Sequence, residues 1–285
     1  MRQHPWLFLF PALLIMSISA FVPMMTVVNY SLHNIFAGSS PEFVGLENYA
    51  AVLSDADFRG ALVRQLFFTV TILLIEIPLG VLLAHAIPHR GSGMALSLVL
   101  LGIPLLIPFN VVGIVWRLFA QSDIGVIPSL AALAGYDYNV SLHAVDAWLT
   151  LVALDVWHWT PLAALLAFSG LQAIPPAYYQ AAAIDGASTW STFRHVTLPR
   201  LRPVLTIGVL LRFMDSFTIY SEPLTLTGGG PGNTTTFLSF LIARKASSYE
   251  LGYAGAASII YLYIVIVLSY VFFQLLSGKQ GATAR

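Results

Sequence analysis

The stretch YYQAAAIDGASTWSTFRHVTLPRLRP, residues 178–203, interrupts a chain that is otherwise strongly apolar. It follows Pro175 and Pro176, and proline suits the first turn of a helix because its missing N–H would have no partner there. The alanine-rich residues 178–183 then predict a short helix. Its small side chains favour docking into a groove of a partner protein, whereas a helix lying on lipid would carry large apolar residues and many lysines.

A turn and a second short helix are predicted next. Gly186 permits a left-handed backbone, and Ser188 or Thr189 can cap a helix that runs through Arg194. Two prolines are expected to close the unit, Pro199 and Pro203. The sequence therefore predicts a helix–turn–helix unit over 175–203, called the elbow below.

Composition places the rest of the chain in a membrane. Hydrophobic residues make up 58% of the 285 positions and charged residues 9%, whereas about 25% of a soluble domain is charged. A spanning helix needs roughly 20 mostly apolar residues. The segments that satisfy this requirement are 6–30, 62–87, 94–119, 147–170, 204–224 and 253–276. Because they are longer than barrel strands and apolar on every face, the predicted fold is an all-α membrane protein with six transmembrane helices in one domain, 1–285.

The first segment could also be a cleaved signal peptide, because Arg2 precedes it. Its apolar residues continue to Val28, well beyond the apolar core of a signal peptide. An uncleaved span is therefore favoured.

Orientation can be predicted from the basic residues, which concentrate in cytoplasmic loops. With the N-terminus inside, the basic residues on the cytoplasmic side are Arg2, Arg90, Arg194, Arg200, Arg202, Lys279 and Arg285. Most acidic residues outside the spans lie on the opposite side. Both termini are therefore expected in the cytoplasm, in a membrane of the bacterial inner-membrane type.

Several kinds of chemistry are excluded or disfavoured. The absence of cysteine excludes disulfides and thiolate metal sites. No phosphate-binding G-x-x-x-x-G-K motif occurs, so the chain is not expected to hydrolyse ATP by itself. His85 and His89 have the spacing of a metal pair, but Pro88 lies between them and no third ligand is evident, so no metal site is predicted.

The elbow resembles the EAA motif of binding-protein-dependent ABC importer permeases. That motif has Glu-Ala-Ala, then Asp-Gly-Ala, an apolar residue and Leu-Pro. The matching residues are Gln180, Ala181, Ala182, Asp185, Gly186, Ala187, Phe193, Leu198 and Pro199, with Gln180 in place of the glutamate. Two further stretches, FVGLENYAAVL (43–53) and LTGGGPGNTTTFLSF (226–240), resemble external segments of carbohydrate permeases of the maltose type.

The resemblance implies a type I ABC importer permease fold in which the elbow is a coupling helix that inserts into an ATPase subunit. Gly186 is then expected to be its least replaceable residue. The implied partners are a second permease subunit in a heterodimer, two cytoplasmic ATPase subunits and an extracytoplasmic solute-binding protein. ATP and Mg would bind to the ATPase subunits, so this chain is expected to hold no cofactor and to be a transport subunit, not an enzyme. No nucleic-acid partner is indicated.

An ionisable side chain within a membrane span is energetically unfavourable and usually faces the bundle interior or an aqueous cavity. Each such residue is therefore a candidate for the solute pathway. They are Glu76, Asp155, Arg212, Asp215 and Glu222. On the fifth segment Arg212, Asp215 and Glu222 are spaced along one helical face, with Tyr220 nearby. Pro223 predicts that the helix kinks or ends there. The alternative is that Arg212 and Asp215 only neutralise each other.

On the fourth segment, DVWHWTP (155–161) places Asp155, His158 and Trp159 on one face and Trp157 on another. A ring beside a carboxylate suits a polyhydroxylated solute, because the ring covers C–H faces and the acid accepts hydrogen bonds from hydroxyl groups. The alternative is an aromatic belt at the outer interface, and the residues leave both open.

Asn110 and Glu76 each have two possible roles. Asn110, on the third segment, is a pathway candidate whose alternative is a helix-to-helix contact. Glu76 could pair with Arg212 or meet a partner subunit, and nothing in the sequence decides between these.

A neutral solute is predicted, because a phosphate or carboxylate group would require several converging arginines or lysines. Resemblance to the glycerol-uptake branch favours glycerol or a small polyol, with a mono- or disaccharide as the alternative.

An integral membrane enzyme using Asp155 and His158 is disfavoured because no nucleophile lies between them. A proton-coupled secondary transporter is disfavoured because inverted repeats are absent and an elbow is present.

Overall fold

The computed structural model describes residues 6–35 and 40–277, and this part of the chain is mostly helical. The helices are α1 Trp6–Ser31, α2 Glu47–Ser54, α3 Ala56–Ala86, α4 Ser92–Leu105, α5 Phe109–Ala120, α6 Val126–Leu133, α7 Ala144–Gln172, α8 Pro176–Ile184, α9 Thr189–Thr192, α10 Leu198–Ser216, α11 Ser221–Leu226, α12 Leu238–Ser247 and α13 Leu251–Ser277. Two short antiparallel strands, β1 His33–Asn34 and β2 Glu42–Phe43, pair His33 with Phe43. The all-α class is confirmed. The terminal basic residues used to predict orientation lie outside the described residues.

Four described helices, α1, α3, α7 and α13, are long and apolar enough to cross a membrane. The predicted third span, 94–119, is instead two helices, α4 and α5, bent by 91° at the break between them. Pro108 immediately precedes α5, and a proline has no N–H to continue the preceding helix. Counting the bent pair as one span gives five candidate spans within the described part of the chain, so the predicted count of six is not confirmed.

The predicted fifth span, 204–224, also differs from the structure. α10 ends at Ser216, and the separate helix α11 begins at Ser221. The side chains of Arg200, Arg202, Arg212 and Asp215 give α10 more charge than a typical spanning helix carries. The helix break predicted near Pro223 thus lies between Ser216 and Ser221, one to two turns earlier in the chain.

The smaller of two compact units comprises 1–61 and 241–267. Asn48 on α2 donates hydrogen bonds from its side-chain amide to the carbonyl oxygens of Ser31 and His33, both over 3.0 Å. At the start of α3, the Tyr253 hydroxyl donates to Asp55 over 2.6 Å. Burial alone would raise the pKa of Asp55, but this bond and one from the backbone of Asp57 hold the pKa below its ordinary value.

The larger unit comprises 62–240 and 268–285 and contains two apolar clusters. The first includes Phe68 and Phe237, whose ring centroids lie 4.9 Å apart. The second surrounds Phe168 and Leu201. Because both clusters include residues of α3 and α7, these two long helices form the frame of the unit.

α5 and α11 approach each other closely at Gly113. A Cβ atom at Gly113 would lie 3.3 Å from the Cα atom of Glu222 and 3.0 Å from the Cβ atom of Thr225. It would also collide with the Thr225 hydroxyl, which donates to the Ser221 carbonyl over 2.7 Å. A small residue at this position therefore sets the distance between the two helices.

We expect Gly113→Ala to destabilise the protein, because overpacking costs about 1–3 kcal/mol. Gly102, in α4, is the matched control, since a Cβ atom there meets nothing within 4 Å. Gly102→Ala should be neutral or slightly stabilising, because alanine is the better helix former by about 1 kcal/mol. Thermal unfolding of the purified protein measures both. Equal midpoints for the two variants would contradict the close approach.

Candidate functional site

A buried arginine organises the polar interior of the larger unit. Arg212 on α10 is 1% exposed. Its Nε and Nη2 atoms donate to the two carboxylate oxygens of Glu76 on α3, over 2.8 and 3.0 Å. Nη2 also donates to Asp155 on α7 over 2.6 Å, and Nη1 donates to Asp215 over 2.7 Å. The open question about Glu76 is thereby answered within this chain, since it pairs with Arg212.

Other contacts hold this group in place. The guanidinium carbon of Arg212 lies 4.6 Å from the ring centroid of Trp159, a cation–π distance. One turn after Arg212, the Ser216 hydroxyl lies 2.8 Å from that of Thr69, and the Ser216 carbonyl accepts a 2.8 Å hydrogen bond from Gln65. The end of α10 is therefore tied to α3 by neutral hydrogen bonds as well as by charge.

A cavity of about 50 Å³ lies beside this group. Its lining residues are Phe109, Asp155, Trp159, Asp215, Ser216, Thr218, Ile219, Tyr220, Ser221 and Glu222. Seven of the ten lie in 215–222, the segment that runs from the end of α10 through the break to the first turn of α11. Glu222, in the first turn of α11, is 5% exposed.

Five of the eight predicted pathway residues lie together on this cavity. They are Asp155, Trp159, Asp215, Tyr220 and Glu222. The structure places the other three elsewhere. His158 is buried against the ring of Phe109, with centroids 5.4 Å apart, and Trp157 lies beside Trp116 at 6.1 Å. Asn110 is exposed, and its side-chain oxygen accepts a hydrogen bond from the N–H of Val111.

Some lining residues were not predicted. Phe109 reaches the cavity because the chain bends sharply just before α5, and no local pattern reveals the direction of that bend. Ser216 and Thr218 carry a weak signal, since small polar residues next to Asp215 continue the polar character of that segment. Only the break after α10 brings them to the same wall.

The first half of the elbow forms as predicted. α8 runs from Pro176 to Ile184, and Gly186 follows with φ of +68°, in the left-handed region. The N–H of Gly186 donates to the carbonyl of Ala183, and the N–H of Ala187 donates to that of Ala182. This is the Schellman pattern that ends a helix. The exposed residues on this half include Gln180, Ala181, Asp185 and Ala187, whereas Ala182 is buried.

The second half differs from the prediction at its end. Ser188 caps α9, accepting a 3.2 Å hydrogen bond from the N–H of Ser191. A π-helical turn, Phe193–Thr197, then leads directly into α10. The two prolines expected to close the elbow, Pro199 and Pro203, instead lie within α10. Pro199 is in its first turn, where a missing N–H is harmless, so the elbow and α10 are continuous.

Phe193, the apolar residue of the predicted coupling motif, connects the elbow to α3. Its ring stacks on Trp190 at 5.6 Å and meets His85 edge-on at 5.5 Å. A groove of about 1000 Å³ lies here, and Leu198 is also among its lining residues. The Nδ1 atom of His85 is hydrogen-bonded to the carbonyl oxygen of Val81. No cluster of three metal-ligating side chains occurs among the described residues.

Comparison with known proteins identifies the family. Residues 76–280 match the family described as binding-protein-dependent transport system inner membrane component. The trehalose/maltose transport system permease protein MalF of Thermococcus litoralis is 33% identical over 96% of this chain and 93% of its own length. The sn-glycerol-3-phosphate transport system permease protein UgpA of Escherichia coli is 30% identical over 98% of this chain and 95% of its own length.

The fold agrees with solved structures. A bacterial alginate ABC transporter crystallised with a periplasmic protein that holds an alginate pentasaccharide has a chain that matches with a TM-score of 0.80. The match covers 96% of this chain and 93% of that chain, at 20% identity. The family matches therefore confirm the family that the sequence of the elbow resembles. The chain belongs to the family of binding-protein-dependent transport system inner membrane components, and it is an ABC importer permease subunit, not an enzyme.

Proposed function

We propose that this permease conducts a neutral polyol or sugar, with glycerol or a small polyol favoured, through the cavity between α7, α10 and α11. The observation that carries the proposal is the combination of acid and aromatic groups on one small space. Asp155, Asp215 and Glu222 present hydrogen-bond acceptors, and Trp159 and Tyr220 present ring faces. Hydroxyl groups donate to carboxylates, and C–H faces of a polyol lie on rings.

The size of the cavity supports a small solute. At about 50 Å³ it is below the 300 Å³ or more of a pocket that encloses a drug-sized ligand. A mono- or disaccharide remains the second candidate, because one relative is named for trehalose and maltose. Another relative is named for sn-glycerol 3-phosphate, which shares the glycerol skeleton but carries an anionic phosphate group.

The elbow is proposed to couple this cavity to two ATPase subunits that bind ATP and Mg. Ile184 and Trp190 support this role, since they are 86% and 66% exposed although they lie outside the predicted spans. Large exposed apolar side chains on such a segment suit burial in a partner. The proposed assembly also contains a second permease subunit and a solute-binding protein on the side opposite the elbow. Both termini are proposed to lie on the side of the elbow.

Transport is proposed to follow alternating access. The binding protein delivers the solute, closure of the ATPase subunits moves the elbow, and α10 carries that movement to the cavity because the elbow continues into it. The competing secondary transporter would move protons through Glu76, Asp215 and Glu222. Solute uptake by the permease pair on a proton gradient, with no ATPase subunits present, would establish that alternative.

Replacing Gly186 tests the elbow. Gly186→Val forces a β-branched residue into the left-handed region, which should distort the end of α8 and lower solute-stimulated uptake about tenfold. Gly135→Val is the matched control, because Gly135 has a similar φ of +74° and also has open space around it, but lies in the loop after α6. Uptake into proteoliposomes and co-purification of the ATPase subunits measure the outcome. An equal loss in both variants would remove the elbow from its assigned role.

The solute is tested by ATPase activity of the purified complex with its binding protein, screened against glycerol, small polyols, monosaccharides and disaccharides. We expect stimulation by one of these neutral classes. Glu222→Gln should weaken it, because the amide replaces an acceptor oxygen with a donor at the cavity wall. Asp123→Asn, an exposed charge change outside the cavity, should have no effect. An intact, active complex that no neutral solute stimulates would contradict the proposal.

A further inference from the structure

We propose that Asp155, Asp215 and Glu222 act as a charge filter that keeps anionic solutes out of the cavity. The proposal rests on the proposed function, because it assigns a substrate class to the same site. It identifies three specificity-determining carboxylates and predicts that solutes bearing phosphate, sulfonate or carboxylate groups are rejected even when their polyol portion would fit.

Arg212 supplies the positive charge of this group, and each of its three side-chain nitrogens already donates to a carboxylate, over distances of 2.6 to 3.0 Å. It is 1% exposed and does not line the cavity. Recognition of a phosphate or carboxylate requires a guanidinium or ammonium group that faces the ligand. No lysine or arginine is among the described residues that line this space.

Arg212 contacts the carboxylates of Glu76, Asp155 and Asp215, so the negative groups outnumber the positive one within the ion-paired cluster. Glu222 adds a fourth acid from a different helix. Its side chain lines the cavity, is almost fully buried and forms no ion pair within the described part of the chain. The acid that forms no ion pair among the described residues therefore faces the space that the solute would occupy.

Charges in a narrow site with low-dielectric walls interact more strongly than charges in water. Phe109, Trp159 and Ile219 form such walls. An anion entering the cavity would lose its hydration and meet like charges, whereas a neutral polyol loses less hydration and gains acceptors for its hydroxyl groups.

The absence of native cysteine allows a direct test, because a single introduced thiol reports the local potential. Thr218 lines the cavity and is exposed, so the assembled complex carrying Thr218→Cys is treated with two methanethiosulfonate reagents of similar size. One carries a trimethylammonium group and the other a sulfonate group. The labelled chain is separated from its partners and its modification rates are measured by mass. Ser248→Cys, at an exposed position between α12 and α13, is the reference thiol.

We expect the ratio of cationic to anionic labelling rates to be about tenfold higher for T218C than for S248C, as expected for a cleft lined by one sign of charge. Adding Glu222→Gln to T218C should lower the ratio several-fold. Ser221→Cys, on the same wall, replaces T218C if that variant does not assemble. If neither thiol is labelled at rest, labelling during ATP hydrolysis gives the same comparison.

Equal ratios for the cavity and reference thiols, or a ratio that Glu222→Gln leaves unchanged, would overturn the charge filter. This result is independent of solute identity and of the binding protein. A complex that shows the raised ratio but is stimulated by no neutral solute would contradict the proposed function and leave the filter in place. A complex that a polyol stimulates, but whose cavity and reference thiols give equal labelling ratios, would support the proposed function and overturn the charge filter.

Discussion

The ion pairs of Arg212 are the interaction on which the larger unit depends. One guanidinium holds carboxylates from α3, α7 and α10, of which Glu76 and Asp155 are buried and Asp215 is partly exposed. Removing one partner of a buried ion pair typically costs about 3–5 kcal/mol, because the remaining charge is left uncompensated. The positions of Asp155 and Asp215 are set by this arrangement. The wall of the cavity is thus formed by groups that also hold the helices together.

α10 gives these ion pairs a connection to the elbow. It begins at Leu198, directly after the π-helical turn, and reaches Arg212 fourteen residues later, roughly 21 Å along the helix axis at 1.5 Å per residue. α10 is one continuous helix over this distance. Under the proposed coupling, displacement of the elbow would therefore shift Arg212 relative to Glu76 and Asp155, and with it the wall that contacts the solute.

Interrupted helices complete the site. The bend before α5 brings Phe109 to the cavity, and the break before α11 brings Tyr220 and Glu222. Gly113 lets α5 and α11 approach closely enough to close that side. Non-helical backbone at membrane depth is tolerated where it lines a cavity, and this is where the chain departs from straight spanning helices.

The sequence by itself determined the membrane class, the positions of most long helices, the elbow and the family, because apolar length and the glycine-centred turn at Gly186 are local properties. It also identified Asp155, Asp215 and Glu222 as ionisable residues within apolar segments, where burial of a charge is energetically unfavourable. Only the tertiary structure decided that Glu76 pairs with Arg212, that His158 and Trp157 do not line the cavity, and that two predicted spans are broken. These outcomes depend on the angles at which helices cross and bend, and such angles are set by side-chain contacts between segments far apart in the chain.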